Sequence, residues 1–277
     1  MTIDEIIVKA LAEDIGDGDH TTLSTMPGYS SGTARLIIKD NGVLCGVDLA
    51  EKIFMAVDPS TRINILIQDG REIKSGDIAF TVTGNKGSIL SAERLVLNFM
   101  QRLSGIATAT SKAVKLIEGL KTKILDTRKT TPLLRELEKY AVRTGGGVNH
   151  RMGLYDMVMI KDNHIDYAGG IAEAINAVHD YLKRSGKFLK IEVEVRNFDE
   201  LQHVLDHGQV DRIMLDNFTV ENMKKAVTLI EGRFETEASG GINEHNLRAY
   251  AETGVDFISM GALTHQIKSL DMSLKAV

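Results

Sequence analysis

"KIEVEVRNFDELQHVLDHGQVDRIMLD", residues 190–216, sets two short apolar-rich segments, "KIEVEV" and "RIMLD", on either side of a stretch long enough for one helix. Strand, helix and strand in that order make a βα repeat around a parallel sheet. The pattern extends in both directions, with further strands predicted at "KILDT" (123–127), "MVMIK" (157–161), "ETEAS" (235–239) and "DFISM" (256–260), and a helix after each. Six such strands point to a closed or nearly closed α/β barrel, although an open doubly wound sheet uses the same alternation. One of the helices is predicted to start at Pro132, with Thr131 as N-cap and proline in its favoured first helical position.

The first third of the chain reads differently. Ile3, Ile6, Ile7, Ala10 and Leu11 follow the spacing of one helix face, so an amphipathic helix opens it. "EDIGDGDHTT" then breaks the helix. Its acids lack the spacing of a calcium-binding hand and read as a Gly-rich turn capped by Asp and Thr side chains. "TARLIIKD", "INILIQDG" and "IAFTVTG" are predicted strands around one helix, "DLAEKIFMAVD", followed by helical stretches "SAERLVLNFMQRLSG" and "ATATSKAVKLIEG". The expected organisation is a small mixed α/β domain over residues 1–105, a barrel over 106–265, and a segment, 266–277, returning to the first domain.

Composition narrows the class. The 277 residues are 43% hydrophobic and 26% charged, with a formal net charge of -5, one cysteine and no tryptophan. An acidic chain without a basic stripe offers nucleic acid no electrostatic footprint. No apolar run reaches the roughly 18 residues of a membrane span, and the acidic start is unlike a signal peptide. The lone Cys45 forms no internal disulfide, so a reducing, cytoplasmic setting is expected.

Ligands of parallel βα folds bind at the carboxyl ends of the strands. Here those ends carry Thr127, Arg128 and Lys129, then Lys161, Glu194, Asp216, Ser239 with Gly240 and Gly241, and Gly261. The double glycine of "ASGGINEHNL" suits an anion held by bare amides, with Asn243 as cap of the next helix. Between Arg128 and Lys161 seven Lys and Arg stand against three Asp and Glu. Arg135, Lys139 and Arg143 recur every fourth residue and read as the solvated face of a helix, leaving Arg128, Lys129, His150, Arg151 and Lys161 as a cationic set fit for a small polyanion.

"TRKTTP", "EKYAV", "GGGVNHRMGL" and "IKDNHI", with "NFMQRLSGIAT", "EVEV", "IMLDNF", "EASGGIN" and "EDIGDGD", resemble the quinolinate phosphoribosyltransferases over nearly the whole chain. Two departures are visible: Leu133 stands where the family usually has glycine, and the interval from Glu194 to Asp216 is one residue longer than usual.

The resemblance implies an N-terminal α/β sandwich joined to an incomplete α/β barrel, paired as a homodimer. It implies transfer of phosphoribose from phosphoribosyl pyrophosphate to quinolinate with loss of pyrophosphate and CO2, and Mg2+ as the ion. Arg128, His150, Arg151 and Lys161 match positions around quinolinate, and Lys129 a position near the phosphates of the second substrate. Arg102 matches an arginine that reaches into the neighbouring subunit's site. Thr127, Ser239, Gly240, Gly241 and Gly261 join the substrate site, while Lys129, Lys161, Glu194 and Asp216 are the expected catalytic residues. Glu194 and Asp216 are also the candidate Mg2+ ligands, and Glu192, on the same strand face as Glu194, competes with it for the ribose. Two rivals remain: a sister phosphoribosyltransferase associated with molybdenum transport, and a carrier module suggested by "DGREIKSGDIAFTVTG".

Overall fold

The structure, a computed structural model, describes residues 1–26 and 28–277. In chain order the elements are α1 (Ile3–Ile15), α2 (His20–Thr25), β1 (Ser31–Ile38), β2 (Gly42–Val43), α3 (Val47–Val57), β3 (Arg62–Ile65), β4 (Glu72–Ile73), β5 (Ile78–Asn85), α4 (Lys86–Leu116), β6 (Lys123–Leu125), α5 (Arg135–Thr144) and β7 (Val158–Ile160). There follow α6 (Asp162–Ala168), α7 (Ile171–Ser185), β8 (Ile191–Val195), α8 (Phe198–His207), β9 (Arg212–Asp216), α9 (Val220–Ile230), β10 (Glu235–Ser239), α10 (Leu247–Ala251), β11 (Phe257–Ser259), α11 (Ala262–His265) and β12 (Met272–Ala276). Contacts divide the chain into two units, one of residues 1–111, 131–146 and 266–277, the other of 112–130 and 147–265.

The first unit is built on an antiparallel sheet in the order β12-β1-β5-β3. Ala34, Leu36 and Ile38 alternate into its core along β1, where Phe80 of β5 meets Phe54 of α3 edge-on, ring centres 6.2 Å apart. The opening helix is fixed by a capping box, Thr2 accepting from the Glu5 amide and Glu5 from the Thr2 amide. In the "GDGD" turn Asp19 caps α2 through Thr22, which holds its carboxyl below the usual range. The two predicted helical stretches after residue 91 are one helix, α4, of 31 residues. The domain boundary expected at residue 105 lies inside this helix, whose residues up to 111 pack with the first unit.

Two further expectations are corrected in this unit. The helix predicted from Pro132 begins at Arg135, because Leu133 has φ +69° and turns the chain out of helical conformation. Lys139, expected on a solvated face, is fully buried. The buried residues Leu137, Glu138, Lys139, Ala141 and Val142 cover about 200° of the helix circumference at ~100° per residue, so the solvated face of α5 narrows to the side of Glu136 and Arg143.

The second unit holds six parallel strands in the order β6-β11-β10-β9-β8-β7. Chain order is preserved around the sheet, with β6 and β7 at its edges; a doubly wound sheet would reverse direction at a switch point. This is an incomplete barrel. Its alternation is inverted relative to a barrel filled by Val, Ile and Leu. Ile191, Val193, Val195, Ile213, Leu215 and Ala238 are the buried apolar set on one strand face, while Glu192, Glu194, Arg212, Met214, Glu237 and Ser259 share the other. A barrel whose inner face carries ions is a site as much as a core.

Candidate active site

Beyond the carboxyl ends of these strands lies a cavity of about 230 Å³. Thr127, Arg128, Lys129, His150, Arg151, Lys161 and Ser239, all singled out in the sequence, line it together with Met159, Met214, Glu237 and Ser259. Arg128 and Lys129 lie three and four residues beyond the β6 end, where the Lys129 amide donates to Thr127 Oγ1 (3.0 Å) and the Lys129 carbonyl accepts from Thr264 Oγ1 (2.7 Å).

The loop carrying His150 and Arg151 is stitched to β6 by Asp126, a fully buried residue that the sequence reading passed over. Its Oδ1 accepts the His150 amide (2.8 Å), its Oδ2 accepts from the Asn149 side chain, and its own amide donates to Val148 O (3.2 Å). A lone Asp at the end of an apolar strand was the available signal. Arg151 Nη1 donates to Met157 O (3.2 Å). Burial, and then the like charge of Arg128, lower the Arg151 guanidinium from its ordinary pKa. Two like-charged guanidinium groups lining one half-buried cavity suit an anion.

Lys161 closes β7 and reaches Glu194 on β8, Nζ to Oε2 2.7 Å. Asp216, at the end of β9, accepts from Asn217 Nδ2 (2.6 Å). Strand register puts Glu194 opposite Met214, so Asp216, two residues on, shares its face. Glu192 is fully buried, whereas Glu194 keeps 8% of its surface open, which favours Glu194 as the carboxylate that meets a ligand.

At the floor, His150 Nε2 stands 3.0 Å from Glu192 Oε2 and 3.4 Å from Glu237 Oε2, and Arg212 Nη1 lies 3.1 Å from Glu237 Oε2. The Arg212 guanidinium stacks on Phe257, 4.1 Å from the ring centre. Burial disfavours a charged imidazole, but hydrogen bonds and charge from Glu192 and Glu237 outweigh it and raise its pKa to about 9. Nδ1 accepts the Arg151 amide (2.6 Å), a bond that needs this nitrogen bare and so opposes the second proton. Burial, then the charge of Glu237, pushes Glu192 up to about 7.

The last loops supply close backbone approach. Gly240 has φ +96°, and a Cβ there would strike the Asn217 side chain. At Gly261 a Cβ would sit 2.9 Å from Lys129 Cδ. Gly241, also at positive φ (+63°), continues the turn. Asn243 does not cap α10: its Oδ1 accepts the His245 amide in a tight turn, and Asn246 occupies the cap position.

Arg102 belongs to the first unit, where its Nε and Nη2 both reach Glu138 Oε1 (2.8 and 2.7 Å) and Nη2 also donates to Thr131 Oγ1 (2.8 Å). Glu138 is fully buried, so this pairing is structural in its own chain.

For a divalent ion, the one group of three acid and imidazole side chains that close together among the described residues is His150, Glu192 and Glu237. Arg212 already neutralises one of these carboxylates, and Mg2+ prefers an all-oxygen shell. Glu194 and Asp216 offer Mg2+ only oxygens, which suits an ion that takes one or two carboxylates and completes its shell with water and substrate phosphates, with Lys161 having to yield Glu194 Oε2.

Comparison with known proteins accords with this architecture. Residues 19–104 match the quinolinate phosphoribosyl transferase N-terminal domain, and residues 106–275 its C-terminal domain. The chain is 45% identical over 286 residues to "Quinolinate phosphoribosyltransferase [decarboxylating] 2b, mitochondrial" of Nicotiana tabacum, covering 98% of this chain and 81% of the relative. It is 47% identical over 287 residues, at the same coverages, to the chloroplastic nicotinate-nucleotide pyrophosphorylase [carboxylating] of Arabidopsis thaliana. Among solved structures, the nicotinate-nucleotide pyrophosphorylase of Francisella tularensis superposes with a TM-score of 0.93 at 44% identity, over 99% of this chain and 96% of that one. NadC of Streptococcus pyogenes gives 0.94 at 38% identity, over 99% and 97%. With both domains matched in order and relatives this similar over almost the full length, the chain belongs to the quinolinate phosphoribosyltransferase family.

Proposed function

We propose that this chain transfers the phosphoribosyl group of phosphoribosyl pyrophosphate to the ring nitrogen of quinolinate, releasing pyrophosphate and CO2 and giving nicotinate mononucleotide, a step of de novo NAD biosynthesis. The observation that carries it is the cavity lined by Arg128, Lys129, Arg151 and Lys161, four cations around one opening. Two vicinal carboxylates on a flat ring match that charge, and each charge-assisted hydrogen bond contributes about 1.5–3 kcal/mol.

The residues divide the work by charge. Arg128, Arg151 and the His150 loop orient the dianion, while Lys129 and the backbone amides of Gly240, Gly241 and Gly261 donate to phosphate oxygens. Glu194 and Asp216 face the ribose, where positive charge grows as pyrophosphate departs. Mg2+, when bound with them, supplies charge neutralisation to the leaving pyrophosphate. Alkylation makes the ring nitrogen cationic, so the carbanion left by CO2 is stabilised by the adjacent charge. The protein's part in decarboxylation is alignment.

A homodimer is the assembly we infer, with Arg102 as the candidate contribution to the neighbouring site; its intrachain pairing with Glu138 lends that role no support. No helix among the described residues is long and apolar enough to cross a membrane. The buried, free Cys45 suits the reducing cytoplasm, the compartment we infer.

The deciding assay is CO2 release from carboxyl-labelled quinolinate, which should require both phosphoribosyl pyrophosphate and Mg2+. Release without the phosphoribosyl donor, or none with all components present, overturns the assignment.

A further inference from the structure

Glu192, Glu237 and Arg212 take no part in the chemistry just described, yet they occupy the interior of the barrel. Both carboxylates are fully buried, on β8 and β10. Buried carboxylates are costly, and apolar residues of similar volume often serve stability as well or better. Arg212 offsets one of the two charges; what meets the remaining one is His150, whose side chain is only 4% exposed.

We propose that Glu192 and Glu237 are positioning residues for substrate binding, which act through the His150 ring to fix the peptide carrying Arg151 in the cavity. The path is continuous. The two carboxylates face Nε2 at 3.0 and 3.4 Å, and the opposite ring nitrogen, Nδ1, takes the Arg151 amide at 2.6 Å. Asp126 fixes the His150 backbone through its amide at 2.8 Å, and the Nδ1 bond sets the ring on that backbone. An imidazole bonded at Nδ1 and facing two buried carboxylates with Nε2 turns a buried ion cluster into a setting for the Arg151 backbone. The Arg151 guanidinium then stands in a cavity that also holds the like charge of Arg128, which an anion offsets. This inference rests on the assignment of Arg151 to the quinolinate carboxylates.

The test uses Glu192→Met and Glu237→Gln in the full chain. Glu192→Met keeps the volume and leaves Glu237 paired with Arg212 beside a neutral His150, so no buried charge is stranded and thermal stability should be retained. Its KM for quinolinate should nevertheless rise about 10-fold or more, the loss of one charge-assisted contact, while KM for phosphoribosyl pyrophosphate stays within about twofold. Combined with His150→Asn, neither variant should add a further loss, because both act through that ring. Unchanged quinolinate KM in folded variants, or additive losses with His150→Asn, overturns the inference. Independently of the variants' folding, 15N spectra of histidine-labelled wild type should contain one ring, absent from His150→Asn, with a slowly exchanging Nε2 proton. Exchange as fast as that of the exposed histidines overturns it as well. If wild type releases no CO2 while this ring remains clamped, the failure lies in the functional reading instead.

Discussion

Lys161 Nζ lies 2.7 Å from Glu194 Oε2, joining the ends of β7 and β8 across the barrel mouth. Glu194 is largely buried and Lys161 is half exposed, so the pair is asymmetric: loss of the lysine leaves a carboxylate facing little water. Lys161→Ala should therefore cost about 1–2 kcal/mol in urea unfolding, and Glu194→Gln in the same chain should restore most of it. Equal stability of Lys161→Ala and wild type would show that water replaces the ammonium.

Arg151→Ala should lower turnover roughly 10²-fold or more, by analogy with loss of one preorganised transition-state donor. Removal of the guanidinium also relieves Arg128, so the folded state should be no less stable. Near-normal turnover in a folded Arg151→Ala protein would remove Arg151 from the site.

Arg102 and Glu138 lead to a separate expectation. Arg102→Ala leaves a buried carboxylate with the Thr131 amide (3.1 Å) as a remaining donor, and should cost about 3 kcal/mol. Glu138→Gln should rescue part of that loss. Mixing Arg102→Ala with Lys161→Ala subunits tests the cross-dimer role: recovered turnover after subunit exchange supports it, and no recovery leaves Arg102 as a structural residue of its own chain.

Leu133 is 71% exposed at φ +69°, a conformation that costs an L-residue about 1–2 kcal/mol and glycine almost nothing. Leu133→Gly should raise the unfolding free energy by about 0.5–1 kcal/mol after the greater freedom of unfolded glycine is subtracted. Leu133→Val, β-branched, should lower it. A destabilised glycine variant would mean that the leucine side chain makes a contact worth more than the strain.

The pH dependence of stability follows from Glu192. Its folded pKa, about 7, exceeds the ordinary value, so its contribution is complete below about pH 4.5 and is lost as pH rises towards 7. Wild-type unfolding free energy, referenced to Glu192→Met, should drop by on the order of 1–3 kcal/mol across that window. His150 adds little there, because a ring that accepts the Arg151 amide at Nδ1 is neutral. A flat difference from about pH 4.5 to 7 followed by a fall between about pH 7 and 9 would show that the ring is cationic and the Nδ1 bond is not made.

Local chemistry along the chain determines much of this protein. Alternation along "KIEVEV" and "RIMLD", repeated six times with helices between, specified parallel strands and put Glu192, Glu194 and Asp216 on one face, because side-chain direction along a strand is a property of the backbone. The cluster of Arg128, Lys129, His150, Arg151 and Lys161 was legible because strand ends and loops attract polar residues that the core excludes.

What the linear order could not state was which partner each charge would meet. The pairing of Arg102 with Glu138, the burial of Lys139, the anchoring by Asp126 and the clamping of His150 between Glu192, Glu237 and the Arg151 amide each join residues brought together by tertiary packing. Sheet order likewise chose the barrel over the open sheet, since both obey the same local periodicity and differ only in long-range strand pairing. Periodicity is written in the covalent chain; desolvation and charge pairing exist only once distant segments share one interior.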